Sequence, residues 1–135
     1  MNHLLELIQI NHSFQKSVNL QLDLDNYERI GSYIPTRSSI AVLNRYWDVV
    51  TGRSKENASI LIGPYGKGKS HLLLVLLSLL HGNEEETKPI LDKIEKVDAA
   101  MASKIRVQQK KYMPVLINAV PGTDLNQSFL YALQE

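Results

Sequence analysis

One octapeptide restricts this chain more than any other stretch. Gly63-Pro64-Tyr65-Gly66-Lys67-Gly68-Lys69-Ser70 has the spacing G-x-x-x-x-G-K-S of a phosphate-binding loop. Glycines let the backbone curl until successive N–H groups point at one spot. A helix beginning there adds its own unpaired N–H groups and the positive end of its dipole. Lys69 brings a full positive charge and is the candidate catalytic residue, and the Ser70 hydroxyl is the expected ligand to Mg2+. The backbone N–H of His71 extends the same set of donors. A loop of this kind needs a strand before it and a helix after it. Residues 58–62 are a short apolar run ending at Gly63, as a buried parallel strand would be. Residues 70–80 are dense in leucine and stop at His81-Gly82, a suitable helix C-terminus.

Composition mainly excludes. At 135 residues, 44% of them hydrophobic, the chain is sized for one domain with one core. A net charge of +1 gives no field that marks a nucleic-acid or membrane binder. Without cysteine there are no disulfides, no thiolate catalysis and no cysteine-ligated zinc, and a cytoplasmic setting is the simplest expectation. The N-terminus lacks the basic start and unbroken apolar stretch of a signal peptide. Residues 72–80, the longest apolar run, are too few to span a bilayer, so no membrane is expected. A helix apolar nearly all round must be buried on most sides, as it would be against a sheet.

Periodicity supplies the remaining elements. Residues 2–10 suit a short helix, and Val18, Leu20, Leu22 and Leu24 alternate with polar residues as in a half-exposed strand. Thr36 is placed to cap a helix that carries Ile40, Leu43, Trp47 and Val50 at helical spacing and closes at Gly52. Residues 82–87 read as an exposed acidic loop, and Pro89 suits a first helical turn. Ile90, Leu91, Ile94, Val97, Met101 and Ile105 then make one amphipathic stripe, on a helix ending near residues 108–111. Residues 112–120 read as a second strand, 121–124 as a turn, and 125–134 as a helix with Leu125, Phe129, Leu130 and Leu133 inward. The order of elements predicts an α/β fold, a P-loop NTPase three-layer sandwich with a parallel sheet, incomplete in this chain because only about two core strands follow residue 57. Residues 1–32 are a separate helix/strand segment, and 33–135 are the N-terminal part of the NTPase domain.

The acid that completes nucleotide hydrolysis is missing. It should end an apolar strand, yet Val115-Leu116-Ile117 runs into Asn118, and Asp98 falls within the expected helix. The chain is therefore expected to be part of a longer ATPase, a view that the uncapped helical pattern at 131–135 favours, or to bind nucleotide without hydrolysing it. A small-molecule kinase is a third option, but Arg37, Arg45, Arg53 and Arg106 are too dispersed for its lid. Lys67 is either a second phosphate contact or a solvated lysine, and Tyr65 either covers the phosphates or caps the loop. Lys104, Arg106, Lys110 and Lys111 read as a solvated face.

The run from Ile62 to Leu72 resembles the P-loop of ASCE-division ATPases, the AAA+ and STAND-like group, and especially the large bacterial ATPases of anti-phage islands such as BREX. Tyr33-Ile34-Pro35-Thr36 ahead of an amphipathic helix is similar to their segment before the P-loop. The resemblance implies ATP and Mg2+ as cofactors, contacts from residues 63–71, and Tyr33 and Ile34 beside the base. It also implies further domains of a longer polypeptide, an oligomer, and DNA or a defence complex as partner, with ATP driving a conformational change.

Overall fold

The computed structural model describes residues 17–56, 58–108, 110–117, 122 and 124–134. Side-chain caps decide where most of its helices begin. Asn19 Oδ1 accepts from the N–H groups of Gln21 (3.0 Å) and Leu22 (3.4 Å), opening α1 (Leu20–Asp23). Asn26 opens α2 (Tyr27–Gly31) in the same way, through the Arg29 N–H at 3.1 Å. Thr36 and Ser39 form a reciprocal capping box at the start of α3 (Arg37–Val50). Helix α4 (Lys69–His81) instead follows Gly68, which offers no side chain. Asn83 and Glu86 make a second capping box for α5 (Glu84–Val97), where Glu84, Glu85 and Glu86 favour the positive end of the dipole. Asp98 caps α6 (Ala99–Arg106) and Asp124 caps α7 (Leu125–Ala132).

Helix α4 lies at the centre. Leu74 and Val75 are fully buried and Leu76, Leu79 and Leu80 nearly so, because α1, α2, α3 and α5 each pack against it. The rest of the core comes from Leu72, from Ile30 and Tyr33, from Ile40, Leu43 and Trp47 of α3, and from Ile90, Leu91, Ile94, Met101, Ala102 and Ile105 of α5 and α6. Each such aliphatic side chain contributes about 1.5–3 kcal/mol on burial. Lysines tie the layers at their edges. Lys104 Nζ donates to Asn44 Oδ1 at 2.6 Å, and Lys93 Nζ donates to the Gly31 carbonyl at 2.6 Å.

The expected α/β sandwich with a parallel sheet is not what forms. Among the described residues there is no strand, and every buried core residue except Tyr33 lies in a helix. Residues 58–62 and 112–117 are irregular and belong to no strand ladder, without which a strand's N–H and C=O groups have no partners. Ile60 and Ile62 are 83% and 84% exposed, so the first run is not a buried strand. The apolar girdle of α4, which a sheet could cover, is covered by helices instead.

Other elements differ too. The alternating run at 18–24 turns into α1, because Asn19 caps it and Asp23 Oδ2 accepts back from the Asn19 N–H at 2.8 Å. The acidic loop expected at 82–87 is largely the first turn of α5, and Pro89 lies inside that helix. The single helix expected through Ile105 is two, broken at Asp98 (φ −152°, ψ 96°), which caps the second. Helix α7 forms, but Leu125, Phe129, Leu130 and Leu133 are all exposed, and none of its residues is buried. The helix expected at 2–10, residues 118–120 of the expected second strand, and residues 121 and 123 of the turn lie outside the described residues.

Candidate functional site

Two glycines shape the loop ahead of α4. Gly66 and Gly68 both have φ of +76°, a conformation that costs an L-residue about 1–2 kcal/mol. A Cβ at either would meet nothing within 4 Å, so the demand is on backbone conformation, not on space. The resulting curl leaves the backbone N–H groups of Gly66, Lys67, Gly68, Lys69 and Ser70 without an acceptor among the described residues. The first intrahelical bond of α4 comes later, from the Leu72 N–H to the Gly68 carbonyl at 2.9 Å. Five donors without a described acceptor and a helix start without a side-chain cap thus follow one another in one exposed loop.

Lys69 arches back over this spot. Its ammonium donates to the carbonyls of Gly63 (2.7 Å) and Pro64 (2.6 Å), and no carboxylate pairs with it among the described residues. The Ser70 hydroxyl is exposed and meets no described partner. Tyr65 is 97% exposed at the loop tip, with nothing in the described fold against its ring.

A cleft of about 360 Å³ opens beside the loop, and Lys67, Gly68 and Lys69 form one side of it. Tyr33 and Ile34, 29 or more residues earlier in the chain, help to form its walls together with Val42, Leu61 and Leu72. Thr36, Ser38 and Ser39 bring hydroxyl groups from the start of α3. No Asp or Glu lines this cleft, so its two lysines have no counter-charge there. A second cleft, of about 410 Å³, lies along α3 and is balanced: Arg45 and Arg53 face Asp48 and Glu56. Arg45 is already 3.3 Å from Glu56, and Asp48 already pairs with Lys104. The first cleft is the one with unspent positive charge.

His71 links this site to the N-terminal helices. Its ring packs edge-on against Tyr33, with centroids 5.0 Å apart, and Nε2 lies 2.9 Å from the Arg29 carbonyl. A carbonyl only accepts, so Nε2 carries the proton. Burial pushes the imidazole below its usual range, with the Arg29 and Lys93 charges acting in the same direction. The Arg29 carbonyl and the Asp23 carboxylate act against it. Tyr33 is itself buried, whereas Ile34 is 67% exposed at the cleft wall.

All nine residues from Gly63 to His71 are therefore together, as contiguity requires, and Tyr33 and Ile34 share their cleft. Sequence reasoning missed Thr36, Ser38, Ser39, Val42, Leu61 and Leu72 as lining residues. Thr36 could be read as a helix cap, but no local signal places that cap against a loop some 30 residues later. The groups that could hold Mg·ATP are present: amides for phosphate oxygens, Lys69 for their charge and Ser70 for the metal. Compared with known proteins, the chain matches no family model, and no curated protein or solved structure is significantly similar to it.

Proposed function

We propose that this chain binds Mg·ATP through residues 63–71 and serves as the nucleotide-binding part of a larger AAA+/STAND-like machine. The observation that carries the proposal is the loop itself: five consecutive backbone N–H groups with no acceptor among the described residues, in a loop curled by two left-handed glycines, beside two lysines that no carboxylate of the cleft balances. The amides of Gly66 to Ser70 hold phosphate oxygens. Lys69 exchanges the Gly63 and Pro64 carbonyls for phosphate, and Ser70 holds the metal. Ile34 lies against the base, with Tyr33 behind it. Mg·ATP brings to this loop a highly charged tail whose gain or loss alters the electrostatic balance at the start of α4.

Binding rather than turnover is the role of these residues, because no described carboxylate lines the cleft to orient an attacking water. Hydrolysis is left to further parts of a longer polypeptide or to oligomer partners, and DNA or a defence complex is the expected target of the resulting motion. The kinase reading loses ground, since no arginine lines the cleft and Arg45 and Arg106 are engaged with Glu56 and Glu95. A cytoplasmic setting fits a chain without cysteine, and no helix among the described residues is long and apolar enough to cross a membrane.

Calorimetric titration tests the reading. Wild-type protein should bind Mg·ATP at one site, and Lys69→Ala should lower affinity by about a hundredfold or more, as expected for loss of a charge-assisted contact to phosphate. Equal affinity in the two proteins, or no binding to wild type, would refute it.

A further inference from the structure

We infer that the His71 side chain is a positioning residue that sets the wall on which the nucleoside part of the ligand rests. The inference builds on the binding reading above but concerns a different contact. His71 stands one residue beyond Ser70, in the first turn of α4, so its backbone belongs to the phosphate end of the site. Its ring turns the other way, edge-on to Tyr33 at 5.0 Å, while Nε2–H donates to the Arg29 carbonyl at 2.9 Å. That carbonyl sits in α2, which is fixed from two further sides. Arg29 pairs with the nearly buried Asp23 at 3.2 Å. Lys93 of α5 donates to the Gly31 carbonyl at 2.6 Å and reaches the Tyr33 carbonyl at 3.4 Å.

The segment from Arg29 to Ile34 is thus clamped between α5 and the first turn of α4, and His71 is its link to the phosphate loop. A wall built on a non-local segment needs such a strut, because residue-level displacements of a binding surface weaken a ligand far more than its contact area suggests. Tyr33 is buried and backs the exposed Ile34. Loss of the His71 ring removes the edge contact to Tyr33 and the donor from α4 to the Arg29 carbonyl, which keeps the Ser32 hydroxyl (2.7 Å) and N–H (3.2 Å) within its own segment. The amides of Gly66 to Ser70 are untouched by that loss.

This separation gives the test. Two probes are titrated into wild type, His71→Ala, His71→Gln and Tyr33→Leu: Mg·ATP, which uses both loop and wall, and magnesium tripolyphosphate, which uses the loop alone. Thermal melts accompany each titration. His71→Ala should lose about tenfold in ATP affinity while its tripolyphosphate affinity stays within about twofold of wild type. His71→Gln keeps an N–H donor near the Nε2 position and should recover much of the loss. Tyr33→Leu should show the same selective loss as His71→Ala, and it stands in for that variant should the latter fail to fold. Equal losses for both probes, or unchanged ATP affinity in the folded variants, would overturn the positioning role while leaving the loop reading intact. Failure of wild type to bind either probe would overturn the loop reading and this inference with it.

Discussion

Lys69 is held in readiness by its own loop. Its ammonium sits on the Gly63 and Pro64 carbonyls at 2.7 and 2.6 Å, neutral acceptors that a phosphate oxygen outcompetes through charge. The four-carbon stem is therefore already folded over the amide cradle, so less freedom is lost on binding. His71, two residues on, makes folding stability depend on pH. Its folded pKa lies below the ordinary imidazole value of about 6.5, which is the value the unfolded chain shows. Between these values the unfolded state binds the extra proton. The stability this group contributes is complete above about pH 6.5 and is lost as pH falls toward the folded value. Arg29, Lys93 and Asp23 are the charged groups acting on it. Urea midpoints taken at about pH 7.5 and about pH 5.5 should therefore fall more in wild type than in His71→Gln. Equal falls would show that His71 does not carry the response.

Among the elements, α4 governs both core and site. It is apolar on nearly every side, and its one buried polar side chain, Ser78, has a hydroxyl with no partner among the described residues. An unpaired buried hydroxyl costs stability, so Ser78→Ala should raise the unfolding free energy by about 1 kcal/mol in urea titration. A loss of stability in that variant would mean that the hydroxyl has a partner after all. The same helix shows what could be read in the sequence. Its boundaries are legible because glycine and helix propensity act within a turn, as the Thr36–Ser39 capping box does for α3. The box at Asn83 and Glu86 and the cap at Asp98 had equally local signals. The acidic character of 82–87 and a hydrophobic stripe that runs across the break mask them. Apolar runs at 58–62 and 112–120 suggest a sheet, but a strand exists only through partners distant in sequence. The loop residues of the site were readable as a motif. The hydroxyl-bearing wall from α3 was not, because tertiary packing alone brings it there.

At the scale of the molecule, stability is concentrated in the packing around α4. The stretch at 58–62 and helix α7 contribute little, since Ile60, Ile62 and the apolar residues of α7 all face solvent. Amide exchange should reflect that division. The amides of Leu74 to Leu80 should open only with global unfolding, whereas those of α7 should exchange with little protection. Matching protection in α7 and α4 would show that α7 has a buried face in solution. The proposed phosphate site thus joins the best-anchored helix to a loop whose amides no other described element uses. A titration of 15N-labelled protein with Mg·ATP, followed by amide chemical shifts, addresses that assignment most directly. The largest shifts should fall on Gly66, Lys67, Gly68, Lys69 and Ser70, with smaller ones at Ile34. Shifts centred on another part of the chain, or none at saturating nucleotide, would contradict it.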